Sequence, residues 1–318
     1  MLLCSSAGND IFYDESQIEQ GRNFCNKIWN SFRLVQGWSV DESLQQSDVN
    51  SLSVKWFENK MNQAITIVED HYAKFRISDA LMAIYKLFWD DYCAWYLEAV
   101  KPAYGQAIDR ATYDATCIFF EKLLKMIHPV MPFISEELWQ SMAERPEGAT
   151  IMFEKTPQAG PVDEDFITAF GMAQEVINTV RGTRQQKNIS PKEELQVLFK
   201  GDFPMNMTPV VRKLGNVSSI GLTDDFGDTS EGVSALVRTV EMFIPLAGMV
   251  NVEEEIRKIE GELEHQRSFL ESVRKKLGNE SFVAHAPEKV VAMERKKEAD
   301  SLAKIEAYEK ALESLKNR

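Results

Sequence analysis

The chain has 318 residues, of which 44% are hydrophobic and 27% charged, a balance that argues against disorder and against fibrous or mucin-like classes. No apolar run approaches the roughly 20 residues that a membrane-spanning helix needs, and the start MLLCSSAGND lacks a cationic, apolar-cored leader, so a soluble, unexported, cytoplasmic protein is expected. The formal net charge of −13 argues against a general nucleic-acid binder and leaves only locally placed cations for such a role.

Residues 1–150 read as a bundle of four long amphipathic helices. The first is expected over Ser16–Gln36, with Asp14 and Gln17 spaced as a capping box and Gly37 as its stop. The second covers Ser53–Phe75 and the third Asp79–Val100, closed by Pro102. The fourth starts near Asp109, is interrupted at His128-Pro129 and Met131-Pro132, and resumes through Ile134–Met142. Apolar residues recur at three- and four-residue spacing, and Trp56, Trp89, Trp95 and Trp139 are expected to add core area.

Residues 151–250 form a small α+β unit. A helix over Glu164–Lys187 precedes period-two stretches at Leu195–Phe199, Val217–Leu222 and Ala235–Ile244, punctuated by glycines. Residues 251–318 turn charged and helical. Ile256, Ile259, Leu263, Gln266, Leu270, Val273 and Leu277 alternate spacings of three and four, the seam of a coiled coil. Gly278 suits a left-handed helix end, and Pro287 suits the first position of a second helix. Ile305, Tyr308, Leu312 and Leu315 repeat the seam, so an antiparallel hairpin, a projecting arm, is expected.

No phosphate loop, HExxH or GxSxG pattern is present, and the four histidines show no metal spacing. The four cysteines, Cys4, Cys25, Cys93 and Cys117, include no CxxC pair, and the last three sit in apolar helical patterns as buried free thiols. No catalytic constellation and no metal site is written here. The first helix carries a different signal. On a helical wheel Phe24, Cys25, Ile28, Trp29, Phe32 and Val35 share the core face, whereas Asn23, Lys27, Asn30 and Leu34 share the opposite one. Two amides, a cation and an exposed apolar side chain suit the reading of unpaired base edges, although an ordinary polar face would show the same spacing. Arg181 and Arg184, with Gln185, Lys187 and Asn188, cluster at the end of the Glu164–Lys187 helix, where they equally complement its dipole. At the hairpin tip, residues 274–304 hold eight Lys or Arg against five Asp or Glu, whereas residues 1–150 hold 13 against 21. Phosphate contact at that tip competes with simple solubility as the reason for the charge.

Two segments decide between these readings. Gly21-Arg22-Asn23-Phe24-Cys25-Asn26-Lys27-Ile28-Trp29-Asn30 resembles the first anticodon-domain helix of the class I synthetases for valine, isoleucine and leucine. His128-Pro129-Val130-Met131-Pro132-Phe133-Ile134-Ser135-Glu136-Glu137-Leu138-Trp139 resembles a signature of the same helical domain. Arg181-Gly182-Thr183-Arg184 through Asn188-Ile189-Ser190-Pro191 is similar to the segment leading into that family's small α+β unit. Phe243–Gly248 with Val252–Ile256, and Lys276–Phe282 with Ala286–Val291, resemble the entry and turn of the C-terminal coiled coil found in the valyl-tRNA synthetase family but not in its isoleucyl and leucyl relatives.

The resemblance implies a mainly α chain: an anticodon-binding bundle, a small α+β unit and a coiled-coil tRNA-binding arm. It implies tRNA(Val) as partner and Lys27, Asn30 and Leu34 facing the anticodon, with Asn23 joining them from the helical wheel; the self-contained hairpin predicts a monomer, and no membrane contact is expected. Arg181, Arg184, Arg274, Lys275, Lys276, Arg295, Lys296 and Lys297 become candidate backbone contacts, the arm lying against the outer corner of the tRNA. Family members commonly carry an aromatic where Leu34 stands, so weaker stacking is implied there. The HIGH-like and KMSKS-like signatures are not present, and Met1–Asp10 resembles the stretch just after the second. The chain is therefore expected to be the C-terminal part of a larger enzyme, with no cofactor of its own, ATP belonging to the catalytic domain. It is not expected to activate valine by itself. Without the resemblance, a helical scaffold protein that uses its hairpin for assembly remains the alternative.

Overall fold

A computed structural model describes residues 15–246, 252–278 and 288–316. The described residues fall into two compact units: one built from the chain up to residue 182 with 191–229 and 234–244, the other from 183–190, 230–233 and the chain from 245 onward.

The first unit opens with α1 (Glu15–Gln36), which buries Phe24, Ile28, Phe32 and Val35. Trp29 departs from the expected core face and is 41% exposed. The capping box at Asp14 and Gln17 lies outside the residues whose side chains are described. A two-residue strand β1 (Val40–Asp41) leads to α2 (Asp48–Ala73), whose N-cap Ser47 hydroxyl accepts from the Asn50 N–H. The expected third helix is one continuous rod of changing pitch: α3 (Ile77–Lys86), a π-helical stretch Leu87–Tyr96, and α4 (Leu97–Val100). Periodicity of three and four does not disclose this widening, because the Leu97 N–H reaches back five residues to the Tyr92 carbonyl.

Strand β2 (Ile108–Asp109) pairs in parallel with β1. Asp109 then caps α5 (Arg110–Ile127): one carboxylate oxygen accepts from the Thr112 N–H at 2.8 Å, and the other from the buried Asn50 amide at 2.9 Å. The break at His128–Met131 is held by a 2.8 Å hydrogen bond between His128 Nδ1 and Ser135 Oγ, and α6 (Pro132–Met142) starts with proline at its first turn. His128 is thus a satisfied structural histidine.

Aromatic rings fill the middle of the bundle. Phe57 lies 5.2 Å from Tyr92, 5.0 Å from Tyr96 and 5.1 Å from Phe119, all buried. Thr116 donates to the Thr112 carbonyl and accepts from the Tyr96 hydroxyl, and its own carbonyl accepts from the Tyr92 hydroxyl at 3.4 Å, so both phenol tips in this apolar site are satisfied. Trp56 and Trp139 are core residues, at 1% and 2% exposure, whereas Trp89 and Trp95 are only half-buried.

Helix α7 (Glu164–Lys187) packs on α2 through Phe170 stacked on Trp56 at 4.4 Å. Strand β3 (Leu195–Lys200) buries Leu195, Val197 and Phe199 in alternation, as its sequence implies. The short α8 (Thr208–Gly215), not evident from the sequence, is the crossover that lets β4 (Val217–Leu222) run parallel to β3. The single expected strand Ala235–Ile244 is instead two, β5 (Gly232–Val237) and β6 (Val240–Pro245), separated at Arg238 in a left-handed conformation (φ 54°). The sheet order is β4-β3-β6-β5.

In the second unit α9 (Val252–Leu277) pairs with α10 (Glu288–Lys316). Leu263, Leu270, Val273 and Leu312 are buried, and Gln266, Leu277, Ile305 and Tyr308 half-buried, along the expected seam. Ion pairs Arg267–Glu309 (2.6 Å) and Arg274–Glu298 (2.8 Å) prove the antiparallel sense, since partners fall in number on α10 as they rise on α9. Towards the tip the α10 seam is polar, with Glu294 and Ser301 buried. Gly278 donates to the Arg274 carbonyl at 2.8 Å but does not adopt the expected left-handed conformation, the ladder simply continuing by one bond. The expected proline at the start of α10 lies outside the described residues, as do the side chains of Ile256, Ile259 and Leu315.

Candidate nucleic-acid interface

Because α1 commits one face to the core, its other face is set by helical geometry alone. Asn23 and Asn30 are exposed, Leu34 is 41% exposed, and Lys27 is half-buried between them. The four residues brought together by the wheel are thus brought together at the surface. The π-helical stretch adds what the sequence reading assigned to the core. Trp89 stacks on Tyr85 with centroids 5.6 Å apart and planes 15° from parallel, and the Lys27 ammonium lies 5.4 Å from the Trp89 ring centre. Phe24 on α1 anchors both rings, at 4.8 Å from Tyr85 and 6.3 Å from Trp89. Among the described residues no carboxylate lies within ion-pair distance of Lys27. A cation set against the half-buried Trp89 ring without an acid, with two exposed amides on the same side of α1, is a set of donors, acceptors and aromatic surface suited to an unpaired base. The four-residue spacing of Tyr85 and Trp89 was the available sequence signal for this platform.

Of the three thiols expected to be buried, Cys93 is, whereas Cys25 and Cys117 are only half-buried. Burial pushes Cys93 up to about 11 against the opposing pull of the Lys27 charge, and burial also raises Cys117. Among the described residues no group of histidine, cysteine and carboxylate side chains could hold a metal ion.

The other candidate cations divide. Arg181 is exposed and donates to the Leu214 carbonyl at 3.0 Å, its guanidinium 5.6 Å from the Trp95 ring centre. Arg184 is only 6% exposed and donates to the Ser190 carbonyl at 3.0 Å, so its head is engaged within the fold. On the arm, Arg274 is paired with Glu298 and Lys297 with Glu294, each at 2.8 Å. Lys275, Lys276, Arg295 and Lys296 are exposed and make no such pair among the described residues.

Residues 54–199 match the family model of the anticodon-binding domain of tRNA ligases, and residues 251–316 match the valyl tRNA synthetase tRNA binding arm. The first match begins inside α2 and leaves α1 outside it. A helical anticodon-binding domain and a hairpin arm on one chain define the tRNA-recognition portion of an aminoacyl-tRNA synthetase. Full-length similarity then narrows the class. The chain is 46% identical over 315 residues to the valine--tRNA ligase of Parabacteroides distasonis, 47% over 320 residues to that of Bacteroides thetaiotaomicron, and 45% over 317 residues to that of Porphyromonas gingivalis. These alignments take in 99%, 99% and 100% of this chain and 36% of each relative. The chain belongs to the valyl-tRNA synthetase family, corresponding to the C-terminal part of these enzymes and spanning about a third of their length.

Proposed function

We propose that this chain recognises tRNA(Val) through one grip in each unit, and that within a longer polypeptide it presents the acceptor end to a catalytic domain that attaches valine with ATP. The observation that carries the reading is the α1 stripe: Lys27, unneutralised over the Trp89–Tyr85 pair, in line with Asn23, Asn30 and Leu34. These groups would splay anticodon bases and read their edges, which supplies sequence discrimination. Lys275, Lys276, Arg295 and Lys296 would hold phosphates, which supplies affinity without sequence information. Two contacts to one rigid RNA raise the effective concentration of each other, so neither has to be strong. ATP would be held elsewhere in such a polypeptide, and this portion would act in the cytoplasm as a monomer.

The test is Lys27→Ala, read by binding of a tRNA(Val) transcript and an anticodon-altered one. Loss of a base-edge contact of about 1–3 kcal/mol predicts a roughly 5- to 150-fold loss on the first transcript and little change on the second. Equal losses on both would remove the readout role.

A further inference from the structure

We infer that Arg181 and Lys213, with Lys101, form an additional contact for RNA backbone phosphates in the first unit, separate from the α1 stripe. The inference rests on the tRNA-binding reading above and adds a site to it. Three elements converge here. Lys101 closes α4, and its carbonyl accepts from the Lys213 ammonium of α8 at 3.2 Å. Leu214, the next residue of α8, offers its carbonyl to Arg181 of α7 at 3.0 Å. Trp95 of the π-helical stretch lies under the same guanidinium.

Two helix C-termini, those of α4 and α8, are thereby each met by a cation from another helix, which offsets their partial negative charge. Several other cations of this unit are neutralised by carboxylates: Lys55 by Asp163, Arg110 by Glu42 and Asp114, Lys125 by Glu121 and Glu154, Arg238 by Glu175. Among the described residues neither Arg181 nor Lys213 has a carboxylate within ion-pair distance, and the one acid paired into the cluster is Glu98, on Lys101. Each carbonyl uses one of the three donors of Lys213 or the five of Arg181. Desolvation, and then the Lys101 charge, hold the Lys213 ammonium below the usual lysine range. Lys213 lies close enough to Lys101 for the two charges to act on each other, and Arg181 holds the carbonyl of the next residue, so the cluster carries three cations against the single acid Glu98; in a chain of net charge −13 this is a local excess that a polyanion relieves.

The experiment compares the whole chain with Arg181→Gln/Lys213→Gln and with Lys213→Gln alone. Binding of tRNA(Val) and anticodon-altered transcripts is followed from 50 to 200 mM salt. Each lost phosphate contact lowers the salt slope by about 0.7–0.9, so the double variant is expected to lose roughly 7- to 12-fold less affinity than the wild type across that range, equally for both transcripts. Lys213→Gln, at an exposed position, should show about half the change in slope and keeps the test open if the double variant unfolds. A slope unchanged in Lys213→Gln and in a folded double variant overturns this contact. If Lys27→Ala still abolishes anticodon preference in that case, the functional reading stands without it. A loss confined to the tRNA(Val) transcript overturns the phosphate assignment. Failure of the wild-type chain to bind either RNA overturns both proposals.

Discussion

Asp91→Asn is expected to stabilise the first unit at neutral pH, although it removes one partner of an ion pair. Asp91 sits in the π-helical stretch with 21% of its side chain exposed, and its partner Lys60 on α2 is 3.6 Å away. Desolvation raises its pKa from 3.8 to about 6; Lys60 opposes the shift and Asp90 adds to it. In the folded chain the carboxyl therefore holds its proton between pH 4 and 6, where the unfolded chain has released it. More protons on the native state means that unfolding free energy falls as pH rises through that window. Two pKa units at about 1.4 kcal/mol each set the loss above pH 6 at roughly 3 kcal/mol, of which the Asn variant recovers the desolvation part. Carboxylates such as Asp41, Asp70, Glu136 and Asp163, whose pKa values are lowered, pull the other way, adding stability that is lost as pH falls through their folded values. The informative quantity is thus the difference between variant and wild type in urea unfolding, measured from pH 4 to 7.5. That difference should be near zero at pH 4 and grow by about 1–3 kcal/mol by pH 7. A difference that does not change with pH would refute the assignment of the shift to burial.

Two further outcomes follow from the packing and from the interface. Trp56→Ala removes a side chain at 1% exposure stacked on Phe170, and should cost roughly 4 kcal/mol by urea unfolding; a cost below about 1 kcal/mol would mean that α2 and α7 are not held by this stack. Leu34→Phe adds a stacking face at a 41% exposed position of the stripe, and should tighten tRNA(Val) binding by about 1 kcal/mol or more, roughly fivefold, with no change in salt slope because no charge is added. Unchanged affinity would place Leu34 away from the bases.

The bundle, the hairpin and the outward polar stripe of α1 were all legible in the sequence, for one shared reason. Helical periodicity is local, so the residues that must be buried on α1, Phe24, Ile28, Phe32 and Val35, also dictate which residues face outward. The seam of α9 is read in the same way, with Leu263, Leu270 and Val273 buried at their expected positions. What local pattern does not carry is any bond that skips the usual turn or crosses between elements. The π-helical stretch keeps an apolar spacing compatible with an ordinary helix, yet its wider turn leaves Trp89 and Trp95 half-buried. Trp29 fits the wheel of α1 and still lies 41% exposed, since the wheel fixes a side of the helix but not what packs against it.

The sequence by itself determined which helices form, which faces they bury and that Asn23, Lys27, Asn30 and Leu34 share the outward side of α1, because each of these depends on residues a few positions apart. Tertiary structure alone decided which cations are spent. Arg184 is committed to the Ser190 carbonyl and Arg274 to Glu298, whereas Lys27 is set over Trp89, and Arg181 and Lys213 reach the Leu214 and Lys101 carbonyls without a carboxylate. A charge is available to a ligand only if nothing nearer neutralises it, and its nearest neighbours here come from segments up to 112 residues away along the chain.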